Sequence, residues 1–115
     1  MNKDAAARAS RSTSSDDPVT RIEISSAAAE DIARLKVTHR LPPNTNERIR
    51  RSIRSLARFP QLGTLLEGSG WDGFRFLLGP WRWMVIVYDF SEEDDLVVVA
   101  TVQDGRSSRA EPPSR

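Results

Sequence analysis

The spacing of apolar and polar residues predicts a short strand followed by two helices. Residues 19–24 place Ile22 and Ile24 on one face and Arg21 and Glu23 on the other, a period of two that is typical of a half-buried strand. Apolar residues then recur at helical spacing after Ser25 or Ser26, either of which can cap a first helix that runs to about Arg40. Two prolines at 42–43 stop this helix, because proline disfavours the α conformation in the residue before it.

A second helix is predicted to begin at Asn44, which together with Glu47 resembles a capping box. Its apolar stripe consists of Ile49, Ile53, Leu56 and Ala57, and its remaining surface carries Arg48, Arg50, Arg51, Arg54 and Arg58. The dipeptide Phe59-Pro60 ends this helix. The arginines either keep a solvated face soluble or form an electrostatic footprint for a polyanion or an acidic partner.

The most apolar stretch of the chain predicts a β-hairpin. Residues 74–78 and 81–88 are expected to form its two strands, joined at Gly79-Pro80. Glycine can take a positive φ and proline offers no amide, so this pair suits a tight connection. The second strand is apolar on both sides, which is typical of a strand buried within a sheet.

Two arginines of this hairpin form a first candidate site. If the loop has two residues, or four in the same register, Leu77 lies opposite Arg82 and Arg75 lies opposite Met84. Both arginines then share a face as diagonal neighbours, roughly 7 to 8 Å apart at the backbone. Their guanidinium groups either converge on one anion or pair with the acidic turn and the end of the chain.

The rest of the chain predicts one more buried strand between polar segments. Residues 61–73 are glycine-rich and predict a loop, residues 89–95 predict an acidic turn, and residues 96–103 predict a β-branched strand. The ends lack hydrophobic periodicity, so we expect flexible tails at 1–18 and 107–115 around one domain at 19–106.

Composition narrows the classes of function. The 115 residues include no cysteine and a single histidine, His39, which excludes thiol chemistry and argues against a histidine metal site or a Ser-His-Asp triad. We therefore predict no metal and no cofactor. The apolar runs are far shorter than the ~20 residues of a membrane span, and no apolar signal segment opens the chain, so we predict a cytoplasmic protein without a membrane partner. The net charge is only +1, but residues 89–104 hold six acidic and no basic side chains, whereas 21–58 are strongly basic.

Four segments of the chain, taken in order, carry a family resemblance. They are IRSLARFPQLG, GFRFL, GPWRWMVIVYDF and LVVVATVQDGR. Together they look like a helix ending in a Phe-Pro turn, an R-x-L strand, a Y-R-V-x-Y strand with Trp81 replacing the first tyrosine, and a last strand with a basic end. This succession resembles the RelE/ParE superfamily of toxins from type II toxin-antitoxin modules, over roughly Arg21 to Arg106. The resemblance implies an α/β (α+β) fold, with an N-terminal strand and two helices packed on an antiparallel sheet of about four strands.

The resemblance also implies a growth-inhibiting toxin that a cognate antitoxin holds inactive. RelE-like members cleave mRNA in the ribosome without a metal, whereas ParE-like members act on DNA gyrase, and both targets stay open for this chain. A hypothesis from another class is a non-catalytic interaction protein that keeps the toxin fold and binds only a partner protein.

Catalytic candidates follow from what a metal-free ribonuclease needs. It must activate the 2′-hydroxyl, stabilise the charge on the phosphorane and protonate the leaving oxygen. Arg75 and Arg82 suit the second task, and Glu67 and Asp104 are candidate bases. Family nucleases commonly use central lysines and a Tyr or His near the end of the last strand, and this chain does not match them there.

Binding candidates form a second group of residues. Those expected to contact nucleic acid or a partner protein are Arg48, Arg51, Arg54, Arg58, Trp81 and Arg106. Trp81 lies beside the turn and is therefore a better stacking candidate than Trp83, which has apolar neighbours. Tyr88 is expected in the core and His39 on a helix surface.

Overall fold

Two α-helices, one 3₁₀ helix and five strands make up the part of the chain that the computed structural model describes, residues 19–68 and 70–106. In chain order they are β1 (Arg21–Ile24), α1 (Ser26–Thr38), α2 (Thr45–Ile53), a 3₁₀ helix (Arg54–Ala57), β2 (Thr64–Leu65), β3 (Phe74–Leu78), β4 (Met84–Ser91) and β5 (Leu96–Asp104). The predicted tails at 1–18 and 107–115 lie outside the described residues.

The strands form one mixed sheet in the order β1-β5-β4-β3-β2. The three pairs from β2 to β5 are antiparallel, and β1 pairs in parallel with β5 because α1, α2 and the hairpin intervene between them. The α+β fold is confirmed, but the sheet has five strands rather than about four. The additional strand is β2, which lies within the predicted loop 61–73. Its two residues are too few to produce a recognisable alternation of apolar and polar positions.

The core lies between the helices and one face of the sheet. It includes Ala28 and Ile32 of α1, Ile49 and Ile53 of α2, Leu56, Met84, Ile86, Tyr88, Val97, Val99 and Val102. Each fully buried aliphatic side chain contributes roughly 1.5–3 kcal/mol relative to an exposed one. The apolar stripes predicted for both helices are thus the surfaces that hold them on the sheet.

The two helices begin in different ways. Ser25 caps α1 as predicted, since its Oγ accepts a hydrogen bond from the Ala28 N–H at 3.1 Å. The capping box at Asn44 is wrong, because φ −89° and ψ 18° are not the extended conformation of such a cap and the Asn44 side chain makes no capping bond. The turn is held instead by the Thr45 hydroxyl, which donates to the Pro42 carbonyl at 2.6 Å.

The hairpin register also differs from the prediction. Leu78 pairs with Val85 and residues 79–83 lie between the two strands, so Arg75 lies opposite Tyr88 rather than Met84. A turn within the loop causes the shift, because the Met84 N–H donates to the Trp81 carbonyl at 2.9 Å. Arg82 consequently lies in the loop with an exposed side chain, and the predicted pair of diagonal arginines does not form.

Glycine is needed at position 79 for close packing and not for a positive φ. The glycines with positive φ in the described residues are Gly68, Gly70 and Gly73. A Cβ on Gly79 would lie 2.7 Å from Met84 Sδ, well inside van der Waals contact. The absence of a side chain therefore lets the loop close onto the start of β4.

Candidate functional site

Helix α1 crosses the sheet edge and brings His39 to the end of β5. Beyond the last residue of β1, the Val102 N–H and the Thr101 hydroxyl of β5 donate to the Asp31 carboxylate at 3.0 and 2.6 Å. The Asp31 carboxylate of α1 thus accepts hydrogen bonds from a part of β5 that β1 does not cover. At its C-terminal end His39 Nε2 lies 3.3 Å from Asp104 Oδ2.

Four flat side chains from three elements form a stacked array at this end of the sheet. The His39 ring stacks on Trp83 with centroids 4.0 Å apart and planes inclined by 20°. Trp83 in turn lies 6.3 Å from Trp81 at 25°, and the Arg48 guanidinium carbon lies 4.4 Å from the Trp81 ring centroid. We call this series, from Arg48 through Trp81 and Trp83 to His39, the stacked array. These separations are typical of offset aromatic stacking and of cation–π contacts.

Residues at the C-terminal end of β5 hold the array in place through hydrogen bonds and a cation–π contact. The Gly105 N–H donates to the Trp83 carbonyl at 2.7 Å, which continues the β4–β5 pairing into the loop. Arg106 donates from Nε and Nη2 to the two Asp104 carboxylate oxygens, both at 3.2 Å, and its guanidinium carbon lies 5.5 Å from the Trp83 ring. Asp104 therefore bridges Arg106 and His39.

Asp104 is held in its ionised form. Hydrogen bonds from the Arg106 side chain and backbone lower the pKa of the Asp104 carboxyl below its ordinary 3.8, and the charges of Arg106 and His39 act in the same direction. The same ion pair raises the pKa of Arg106. A carboxylate with a lowered pKa is a weak base at neutral pH, so the geometry gives Asp104 the role of orienting its neighbours.

The surface around the array is cationic and partly accessible. Side chains of His39 and Asp104 are 22% and 20% exposed, both tryptophans are half-buried, and Arg82 and Arg106 are exposed. The carboxylate of Asp104 contacts the array and is already hydrogen-bonded to Arg106. The arrangement can accept a flat group by stacking and an anionic group by hydrogen bonding.

Arg75, predicted as a site residue, lies in a different cluster. Its Nη1 donates to the carbonyls of Gly63 and Gln61 at 2.9 and 3.2 Å. Tyr88 binds the same segment, since its hydroxyl donates to the Pro60 carbonyl and accepts from the Gly63 N–H, both at 2.8 Å. We call Tyr88, Arg75 and the backbone of 60–63 the anchor cluster. Tyr88 is fully buried, as expected, and Arg75 acts here as a support for the loop.

The other predicted site residues are distributed over the surface. Glu67 is exposed in the loop before β3, and Arg51 pairs with Glu47 one turn away on α2 at 3.4 Å. Arg54 and Arg58 are exposed at the 3₁₀ helix and just after it. The structure therefore brings together Arg48, Trp81, Asp104 and Arg106, with Arg82 in the same loop as Trp81.

Sequence reasoning missed the part that His39 and Trp83 play. His39 lies at the end of α1, and only the course of α1 along β5 brings it to Asp104. Arg40 follows it with a φ of 52°, a conformation usually marked by glycine, so the sequence gives no signal of the turn. Trp83 packs partly against the core, as expected, but its ring also lies between His39 and Trp81 in the array.

The described residues contain neither a group of potential metal ligands nor a helix that could span a membrane. Among residues 19–68 and 70–106, no three His, Asp or Glu side chains are grouped so that they could hold a metal ion. In the same part of the chain, no helix has the length and apolar character needed to cross a bilayer.

Comparisons with known proteins identify a family and include a solved structure with a similar fold. Residues 22–109 match the sequence profile of a family described as the ParE toxin of the type II toxin-antitoxin system, parDE. The fold is similar to a chain of the crystal structure of the toxin-antitoxin complex RelBE2 from Mycobacterium tuberculosis, with a TM-score of 0.56. That similarity covers 75% of this chain and 98% of the other at 19% sequence identity, and it establishes the fold alone. No curated protein sequence matches the chain.

Proposed function

Because this chain belongs to the ParE toxin family of type II toxin-antitoxin systems, we propose that it arrests growth by binding DNA gyrase through the stacked array. A cognate antitoxin neutralises it by covering its surface. The contact surface comprises Arg48 and Trp81 of the array together with the neighbouring Arg82. No covalent chemistry by the toxin is needed for this activity.

The observation that carries this proposal is the state of the charged groups. Arg75 is bound to backbone carbonyls, and the pKa of Asp104 is lowered by its bond to Arg106. Neither group is therefore poised for the phosphorane stabilisation or base catalysis that cleavage requires. The array, in contrast, presents planar and cationic side chains, the residue types that dominate binding energy at protein interfaces.

Induced expression and a supercoiling assay test the proposal. The parent chain should arrest growth, inhibit supercoiling by purified gyrase and trap cleaved DNA, and co-expression of the antitoxin should restore growth. Replacing Arg48 and Trp81 together by alanine should weaken inhibition by at least about tenfold, as expected for an interface hot spot. Unchanged supercoiling in the presence of the parent protein would overturn the gyrase proposal.

Arg21→Ala is the matched control, because it removes the same charge at a remote place. Arg21 is exposed and pairs with Leu96, eight residues along β5 from Asp104, which corresponds to roughly 26 Å of extended chain. This variant should inhibit gyrase like the parent. An equal loss in both variants would show that total charge, not the array, determines inhibition.

Ribosome-dependent mRNA cleavage is a second candidate, favoured by the His39 imidazole. An imidazole oriented by a carboxylate is a common general acid or base, and His39 lies 3.3 Å from Asp104. Primer extension on mRNA from arrested cells should then show codon-positioned cuts that disappear in His39→Gln. Arrest without such cuts favours gyrase, and the absence of arrest favours a protein that binds only its partner.

A further inference from the structure

We propose that the stacked array binds unpaired bases of a single-stranded nucleic acid, which continue the stack beyond Arg48. This inference rests on the proposed function and deepens it. It assigns the array to the nucleic acid component of the target, whereas the gyrase proposal by itself leaves the contacted component open. The ligand class follows from the shapes, spacing and charges of the array.

The array already has the form of a short base stack. Its neighbouring groups are separated by 4.0, 6.3 and 4.4 Å from His39 to Arg48. Aromatic rings and guanidinium planes are the protein groups on which single-stranded bases stack. Arg48 ends the series and is half-exposed, so a base can be added as its next member.

The charges around the array suit a phosphate backbone. Arg82 is exposed between the two tryptophans in the chain, and Arg106 is exposed beside Trp83. Asp104, which would repel phosphate, has its charge offset by the guanidinium of Arg106, which donates to both of its oxygens. A base stacked on Arg48 would therefore have cationic side chains within reach of its phosphates.

Two features favour unpaired bases over the other anionic partners. In a duplex both faces of each base are covered by its neighbours, so a planar array gains contact only with single strands. An acidic peptide would pair with the arginines but would leave the flat faces unused. The requirement for planarity, as distinct from charge, therefore separates the proposal from both alternatives.

Fluorescence anisotropy with the purified full-length chain tests the requirement for planarity. The probes are fluorescein-labelled 16-residue oligothymidine, oligouridine of equal length and a duplex of equal length, with polyglutamate as a competitor. The parent should bind both single strands at least about tenfold more tightly than the duplex, and polyglutamate should compete poorly. Binding of either single strand supports the proposal, and the preferred one identifies the type of nucleic acid.

Variants at the end of the array separate stacking from charge. Arg48→Lys keeps the charge but loses the plane, and it should weaken binding about as much as Arg48→Ala. Trp81→Ala should weaken it by roughly tenfold, whereas Trp81→Phe, which keeps a ring, should retain most of the affinity. Arg21→Ala, far from the array, should bind within about twofold of the parent.

Three outcomes would overturn the proposal. They are parent-like binding by Arg48→Lys, equal affinity for single strand and duplex, and no binding of either oligonucleotide at low salt. Circular dichroism of each variant confirms that lost binding does not reflect lost folding, and Trp81→Phe tests the stack even if Trp81→Ala unfolds. Inhibition of supercoiling that persists without oligonucleotide binding would leave the proposed function intact and assign the array to gyrase itself.

Discussion

Two clusters along β4 both combine arginine with aromatic rings, yet they have different roles. The anchor cluster lies at Tyr88, and the stacked array lies just before Met84, roughly 13 Å away along the strand. In the anchor cluster, the Tyr88 hydroxyl and Arg75 are bonded to the backbone of residues 60–63. In the array, rings and guanidinium groups contact each other and remain partly exposed.

The difference shows that residue type alone does not identify a functional arginine. Arg75 and Arg48 both lie near aromatic side chains, but Arg75 donates to carbonyls whose burial would otherwise be costly. The Arg48 guanidinium instead covers the face of Trp81. We therefore expect changes in the anchor cluster to alter stability and changes in the array to alter activity.

Tyr88→Phe should show the largest effect on stability. The change removes the hydroxyl that bonds Pro60 and Gly63, so the buried Gly63 N–H loses its partner. We expect the free energy of unfolding to fall by about 2–3 kcal/mol, measured by urea denaturation. The variant should still arrest growth at a permissive temperature. Parent-like stability with lost arrest would place Tyr88 in the functional surface and remove the contrast between the clusters.

Arg48→Ala should show the reverse pattern. An exposed cation–π contact contributes only about 0.5–1 kcal/mol, so unfolding should change little. Growth arrest, in contrast, should weaken strongly on induction at equal protein level, because Arg48 ends the array. Arg51→Ala is a useful comparison on the same helix, since Arg51 pairs with Glu47 at 3.4 Å and does not contribute to the stack. Equal loss of arrest in both would point to the charge of α2 as a whole.

The sequence predicted the elements better than their register. Apolar spacing located α1, α2 and every strand except the two-residue β2, because it reports burial directly. The observed pairing of Arg75 is displaced by four residues from the predicted one, and an even displacement leaves every side chain on the same face. The alternation pattern was therefore satisfied by both registers. The turn from Trp81 to Met84, which decided between them, depends on tertiary contacts of the two tryptophans.

The site could be predicted only in parts. Arg48, Trp81 and Arg106 were predicted as binding residues from their side-chain type and position, and Asp104 was predicted as a candidate base. Their proximity depends on α1 crossing β5 and on the start of α2 reaching the hairpin loop. Neither path leaves a local pattern in the sequence, and for the same reason His39 could not be assigned to the site.

A tyrosine titration should distinguish the buried anchor cluster from the exposed array. Burial raises the pKa of Tyr88 above its ordinary 10.0, although the Gly63 N–H and the charge of Arg75 oppose the shift. Since the folded pKa is raised, this group stabilises the fold fully below pH 10 and less as pH rises through the folded value. Tyr88 is the single tyrosine, so absorbance at alkaline pH reports it alone. Titration at the same pH in native and urea-unfolded protein would contradict the burial of its hydroxyl.

Asp104→Asn should show the smallest effect on stability, and the size of this effect should depend on pH. Because the folded pKa of Asp104 lies below 3.8, its contribution to stability is present above that pH and is lost as pH falls through the folded value. Urea unfolding of the parent and of Asp104→Asn should therefore differ slightly at pH 7, and the difference should shrink as the pH falls below 3.8. The difference at pH 7 should also shrink in 1 M salt, since the carboxylate and Arg106 are partly exposed and screened. A difference that does not shrink on acidification would mean that Asp104 supports the array by packing rather than by its charge.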